Sequence, residues 1–90
     1  MESKLTIYEY GTKEWKLPNG YFHREDGPAI EWANGSGKEW YLNGDLHRED
    51  GPAIEWANGS GKEWWINDIR YTEQEHKYKM RSIKLTKILK

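Results

Sequence analysis

An internal repeat constrains this sequence more than any other feature. Residues 23–40 recur without a single change as residues 47–64, so the chain has a period of 24 residues. Identical recurrence at such a spacing is typical of stacked repeat arrays, in which each unit buries its apolar face against its neighbours rather than in a core of its own. The repeat therefore predicts a fold built from similar small units stacked side by side.

Each full unit has the pattern of one β-hairpin. Residues 29–32 are predicted to form a short strand, residues 34–37 supply the Asn and Gly that a hairpin turn needs, and residues 38–43 are predicted to form the return strand. Alternation along these strands divides the side chains between two faces. The predicted buried face carries Ile30, Trp32, Trp40 and Leu42, and the predicted opposite face carries Glu31, Glu39 and Tyr41.

The N-terminal part departs from the repeat, as terminal units of an array commonly do. Residues 4–10 combine apolar alternation with aromatic side chains and are predicted to form an edge strand. Residues 13–15 then repeat the Lys-Glu-Trp that ends the duplicated block. We interpret this part as a degenerate first unit.

The repeat stops near the other end of the chain. Asp68 replaces the expected glycine, and the His-Arg-Glu-Asp segment does not recur. Thr72, followed three residues later by Glu75, is a signal for the start of a helix and predicts a C-terminal helix over residues 73–88. A strand at residues 83–86 is the alternative for the end of this segment.

These patterns predict a mainly β domain in which consecutive antiparallel hairpins form an elongated twisted sheet with a capping α-helix at the C-terminus. Residues 1–71 would form the hairpin array, and residues 72–90 the helix and basic tail of the same domain. A chain of ninety residues has a thin core, which the large rings of six Trp and six Tyr would help to fill. We interpret the rows of tryptophans at equivalent strand positions as core that joins one hairpin to the next; they are Trp15, Trp40 and Trp64 with Trp32, Trp56 and Trp65. An aromatic groove that binds a cation, a sugar or a nucleobase is the alternative interpretation of these Trp rows.

Charge is divided unevenly along the chain. Residues 1–71 carry 13 acidic and 8 basic side chains, whereas residues 72–90 carry 2 acidic and 6 basic ones. The acidic body argues against a uniformly basic nucleic-acid-binding protein. The sequence has no cysteine, no hydrophobic signal core at its N-terminus and no apolar run of about 20 residues that would span a membrane. We therefore expect a soluble, cytoplasmic protein.

The residues from Trp40 to Ala53 carry a family resemblance. They read Trp-Tyr-x-Asn-Gly-x-x-His-Arg-Glu-Asp-Gly-Pro-Ala, and a looser copy lies at residues 15–29. This pattern resembles the MORN-variant repeat, which is common in phage, bacterial and large-virus proteins, and the resemblance covers roughly residues 8–76. It implies consecutive β-hairpins in an elongated, twisted sheet. It also implies association with proteins or membrane surfaces rather than catalysis.

The two repeated loops contain residue types that acid–base or metal chemistry uses. These are His23, Arg24 and Asp26 in the first loop, and His47, Arg48 and Asp50 in the second. Equivalent loops of a stacked array lie roughly 10 Å apart when two strands separate them, which is far for a shared site. We interpret the loops as a structural ladder, in which Arg pairs with Asp or Glu and His hydrogen-bonds loop carbonyls. A metal or ligand site is the alternative.

The sequence contains no P-loop, GxGxxG, HExxH or GxSxG motif. We expect no enzymatic activity, no cofactor and no metal. The predicted function is that of a non-enzymatic scaffold that presents an extended surface to a protein partner. The resemblance suggests a phage or mobile-element accessory protein that inhibits a host defence protein in the host cytoplasm. The residues expected to contact the partner are Glu31, Tyr41, Glu55, Trp65, Lys77 and Arg81.

Two other functions remain open from the sequence. The loops or the Trp rows could hold a small cation, nucleotide or sugar, or the open sheet edge at residues 5–10 could support a homo-oligomer. The basic tail could contact nucleic acid or an anionic membrane. A solvated helix face is the simpler interpretation of that tail, because six basic side chains over nineteen residues are ordinary for a surface helix.

Overall fold

The computed structural model describes residues 2–59 and 61–89 and is mainly β. Its strands are β1 (Lys4–Ile7), β2 (Lys13–Lys16), β3 (Ile30–Glu31), β4 (Gly37–Glu39), β5 (Tyr41–Leu42), β6 (Asp45–Leu46), β7 (Ile54–Trp56), β8 (Lys62–Ile66) and β9 (Ile69–Tyr71), and its C-terminal helix is α1 (Glu73–Leu89). Seven strands form one antiparallel sheet in the order β1-β2-β3-β4-β7-β8-β9. The prediction of a mainly β fold with a C-terminal helix is confirmed.

The connection between neighbouring hairpins contains a hairpin of its own. The predicted return strand over residues 38–43 breaks at Trp40, and β5 leaves the large sheet to pair with β6 in a two-stranded ribbon. Asn43 and Gly44 make the turn of this ribbon with φ angles of 51° and 84°. Positive φ at both central residues is the requirement of a type I′ turn, which Asn-Gly meets at little cost. The single long return strand was therefore the wrong prediction.

The strand register decides which side chains share a face. Ile30 lies opposite Glu39, and Glu31 lies opposite Lys38. Side chains that oppose one another across a ladder point to the same face. Glu31 and Glu39 therefore lie on opposite faces, and the prediction that they share one is wrong. The turn between β3 and β4 has positive φ angles at Asn34 (61°) and Gly35 (65°). The hairpin of β7 and β8 has the same register.

Two faces of the sheet follow from this register. We call one the loop face, where charges of alternating sign cross five neighbouring strands at Lys13, Glu31, Lys38, Glu55 and Lys62. We call the other the glutamate face, where carboxylates alternate with isoleucines at Glu14, Ile30, Glu39, Ile54 and Glu63. Opposite charges in adjacent cross-strand positions favour this register over one that is shifted by a residue.

The buried core is small. Its apolar members are Leu17, Ala29, Ile30, Ala53, Ile66 and Met80. Trp32 and Trp56, which the sequence placed in the core, remain 36% and 38% exposed. Both lie at the turn end of a hairpin, and the ring of Trp56 lies against Gly37, where a Cβ atom would come within 2.5 Å of it. The Trp56 ring therefore covers the backbone of the neighbouring strand rather than filling the core.

Helix α1 begins with the capping box that the sequence predicts. The N–H of Glu75 donates to the Thr72 hydroxyl at 3.1 Å, and the N–H of Thr72 donates to the Glu75 carboxylate at 2.8 Å. The helix runs through the segment for which a strand was the alternative, and that alternative is wrong. It packs on β8 and β9. Its His76 side chain, which is buried, bonds the carbonyl of Arg48 at 2.7 Å.

Candidate functional site

The first loop folds around Arg24. Its guanidinium carbon lies 3.8 Å from the centre of a Trp15 ring. Its Nε donates to Asp26 at 3.0 Å, while its Nη1 donates to the Pro28 carbonyl at 3.2 Å and to Glu31 at 3.1 Å. One arginine thus joins the strand of the preceding hairpin, the turn of its own loop and the strand that follows.

The second loop repeats these contacts around Arg48. The guanidinium carbon lies 3.8 Å from the centre of a Trp40 ring. It donates to Asp50 at 2.9 Å, to the Pro52 carbonyl at 3.1 Å and to Glu55. Gly51 lies beneath the arginine, and a Cβ atom there would come within 2.9 Å of the guanidinium carbon. We call each set of Arg, Trp, Asp and Glu an Arg–Trp module.

The two loop histidines each hold a turn. Nδ1 of His23 accepts the N–H of Asn43 at 2.9 Å, and Nδ1 of His47 accepts the N–H of Asn67 at 3.0 Å. An acceptor nitrogen carries no proton, so each neutral ring carries its proton on Nε2. Nε2 of His47 faces Glu49 at 3.2 Å. Within the described residues, no group of three His, Cys, Asp or Glu side chains is arranged to hold a metal.

On the glutamate face, aromatic donors hold the carboxylates. The Tyr8 hydroxyl donates to Glu14, the Tyr41 hydroxyl and the Trp32 indole donate to Glu39, and the Trp65 indole donates to Glu63, at distances of 2.8–3.0 Å. Burial raises the pKa of the Tyr41 hydroxyl well above its ordinary range, and the bond to Glu39 raises it further. Trp65 is half-buried and takes the place that Tyr41 has one unit earlier.

The six residues expected to contact a partner are not brought together on one surface. Glu31 and Glu55 lie on the loop face and bind the two module arginines. Tyr41 and Trp65 bind carboxylates of the glutamate face. Lys77 and Arg81 are exposed on α1 and line a cavity there.

That cavity lies where a third Arg–Trp module would be. Thr72 follows Arg48 by 24 residues, so threonine stands where the repeat would have its arginine. Helix α1 begins at Glu73, where a third loop would follow, and lines the cavity together with Trp64. Among the side chains that the structure describes, none places a cation over the Trp64 ring. Trp15, Trp40 and Trp64 are equivalent in sequence. In the described chain, Trp64 is the one of the three that has no arginine stacked on it.

We call this cavity the α1 groove. It has a volume of about 710 Å³. Residues 49–52 of the second loop form one wall, Lys62 and Trp64 form the floor, and α1 forms the other wall. The α1 wall carries Glu73, His76, Lys77, Met80, Arg81, Lys84 and Leu85. The volume falls within the range of roughly 300 to 1,000 Å³ that is usual for small-molecule sites and peptide anchors.

Comparisons with family models, curated proteins and solved structures found no match for this chain. In the part of the chain that the structure describes, no helix has the length and the apolar character needed to cross a membrane.

Proposed function

We propose that the chain is a non-enzymatic β-hairpin repeat scaffold that binds a protein partner. One observation carries the proposal, namely the contrast between the two modules and the α1 groove. In the modules, the charged side chains are held by internal hydrogen bonds and ion pairs. In the groove, cations that form no ion pair with any carboxylate of the described chain adjoin apolar side chains, a combination that suits recognition rather than catalysis.

The repeat architecture of the proposal draws on equivalent contacts in successive units. The 24-residue sequence period and the matching bonds of Arg24 and Arg48 support an array of hairpins that share one loop design. The resemblance to MORN-variant repeats supports the same interpretation. It also gives the proposal its biological setting, a phage or mobile-element accessory protein whose partner is a host defence protein.

An affinity experiment tests the proposed function. The full chain, carrying a terminal affinity tag, is expressed in a candidate host, and the proteins that co-purify with it are identified by mass spectrometry. A captured protein then has to bind the purified chain directly, with a saturable isotherm in isothermal titration calorimetry. Failure to recover any protein that passes this second step contradicts the proposal.

The same purified chain separates a protein partner from a small ligand. Tryptophan fluorescence is titrated with a panel of nucleotides, sugars and quaternary ammonium compounds. Saturable quenching by one of them at micromolar concentration, together with no protein partner, would replace the scaffold proposal by a ligand-binding module.

A further inference from the structure

We propose that the α1 groove binds an acidic peptide segment of the partner protein, with an apolar side chain of that segment seated against Trp64. The inference rests on the proposed function, because it names the site through which the scaffold holds its partner. The experiment distinguishes a groove that binds no acidic peptide from a chain that binds no protein partner.

The positive charge of the groove comes from cations on α1 for which the described residues show no ion pair. Lys77, Arg81 and Lys84 occupy positions i, i+4 and i+7 of α1 and therefore form a row along one wall. In the described part of the chain, none of the three lies within ion-pair distance of a carboxylate. The row is about 10 Å long, a length that about three residues of an extended peptide span.

The apolar part of the groove includes Trp64, a ring over which the described chain places no guanidinium. In both complete modules a guanidinium lies 3.8 Å above the corresponding ring. Trp64 has no guanidinium there and is half-buried, and it lines the groove together with Met80, which is buried, and Leu85, which is 54% exposed. The apolar side chain of the peptide would contact the part of the Trp64 ring that faces the groove.

The opposite wall selects the class of ligand. It carries the carboxylates of Glu49 and Asp50, which His47 and Arg48 hold in place, and Glu73 adds a carboxylate on the α1 wall. A nucleic acid presents a negative charge at every phosphate and would meet both this wall and the acidic body of the chain. A peptide can place its few carboxylates along α1 and turn backbone N–H donors toward the acidic wall. Charge complementarity therefore favours an acidic peptide that carries an apolar anchor.

A displayed library of random short peptides tests this inference. The library is selected on the immobilised full chain, on the double variant Lys77→Glu with Arg81→Glu, and on the control Lys79→Glu. Lys79 is exposed on the same helix but does not line the groove, so the control changes charge without changing the site. Circular dichroism first establishes that all three chains keep their helix and sheet.

The expected result is enrichment of peptides that combine Asp or Glu with a large apolar residue on the wild-type chain and on the control. The double variant should lose this enrichment. One selected peptide is then measured by fluorescence anisotropy, where the double variant should bind at least about tenfold more weakly and the wild-type affinity should fall as salt is raised. Leu85→Ser should also weaken binding, because its side chain borders the Trp64 floor.

Three outcomes overturn the inference. They are a selected set without acidic residues, equal enrichment on the double variant, and displacement of the bound peptide by a single-stranded oligonucleotide at lower concentration than by unlabelled peptide. If a protein captured by the tagged chain binds the double variant as tightly as wild type, the proposed function stands and only the groove is rejected.

Discussion

At the scale of single residues, Arg24 and Arg48 explain why the loops use arginine. Each guanidinium lays its flat face on a Trp ring while its edge donates to a carboxylate of the turn, a proline carbonyl and a strand glutamate. A lysine ammonium has neither a plane to stack nor a fork of donors with fixed directions. The loops therefore depend on guanidinium geometry more than on positive charge.

Replacement of Arg48 should reveal this dependence. Arg48→Ala removes the stacking on Trp40 and leaves the half-buried Glu55 without its donor, which should lower the free energy of unfolding by about 2–3 kcal/mol. Arg48→Lys should recover less than half of that loss, because one ammonium cannot make the same bonds. Urea unfolding followed by circular dichroism measures both.

Arg70→Ala is the matched control for that comparison. Its side chain is 63% exposed and lies 4.0 Å from Glu63. An exposed pair at this distance contributes less than about 0.5 kcal/mol. If Arg48→Lys were as stable as wild type, the module would be an ordinary charge pair and the stacking argument would be wrong.

Ionisation of Tyr41 should lower the free energy of unfolding at alkaline pH. Its pKa is raised by burial and by the bond to Glu39, so the folded chain keeps the phenol neutral at a pH where the unfolded chain ionises it. The sign follows: the stabilisation is complete below about pH 10, the ordinary tyrosine value, and is lost as pH rises above it. Urea unfolding at about pH 8 and at about pH 11 should show this fall.

Tyr41→Phe should flatten the alkaline fall while costing about 1 kcal/mol at neutral pH, since the bond to Glu39 is lost at every pH. Part of the fall will remain in this variant, because the bond to Glu14 also raises the pKa of Tyr8. An unchanged fall in Tyr41→Phe would mean that Tyr41 ionises equally in the folded and unfolded chains.

At the scale of elements, the sequence predicted those features that depend on neighbouring residues. The capping box of α1 needs only Thr72 and Glu75, three residues apart, and both of its hydrogen bonds are present. The faces of the hairpins were predicted wrongly because they depend on register. Register depends on how two strands pair across the whole turn, and the two hairpins share one register although Asn34 has a positive φ and its equivalent Asn58 does not.

The α1 groove lies between these two cases. The period alone places Thr72 where a third arginine would be, so the sequence is enough to infer that Trp64 has no stacked arginine from its own loop. The sequence does not predict that residues 49–52 form the opposite wall, because this depends on how α1 packs across β8 and β9. Packing of one element on another is a tertiary result that local spacing does not encode.

The helix cap offers a prediction at this scale. Thr72→Ala removes the hydroxyl that accepts the N–H of Glu75, and should destabilise the chain by about 1 kcal/mol. Thr86→Ala is the matched control, because that hydroxyl bonds only the Ser82 carbonyl of its own helix. Thermal unfolding followed at a helical wavelength measures the two. Equal melting temperatures would show that α1 is held by packing on the sheet alone.

At the scale of the whole molecule, the chain is a thin slab with extents of 46 × 33 × 17 Å. The thickness corresponds to one sheet covered by loops and a single helix. Strand order follows chain order along the large sheet, apart from the excursion of β5 and β6. The buried core of the described residues is small. If the proposed repeat architecture is right, the length of the molecule should be set by the number of units it contains.

Insertion of one further unit tests this architecture. A second copy of residues 23–46, placed after Leu46, leaves every junction with its native neighbours, because Leu46 precedes His47 just as Phe22 precedes His23. The longer chain should fold with one additional Arg–Trp module and two additional strands in the large sheet. Its urea m-value should rise by about a quarter, in proportion to chain length, and its unfolding should remain a single transition.

The same 24 residues in shuffled order, inserted at the same place, are the control. They add equal length and composition but cannot pair with β4 or present an arginine to Trp40. The urea m-value of this chain should therefore equal that of the wild-type chain. Limited proteolysis should cleave its insertion first, since an unpaired segment is the most accessible to a protease. If both insertions behave alike, or if the native copy unfolds in a separate transition, the units do not stack as a continuous array and the repeat architecture is wrong.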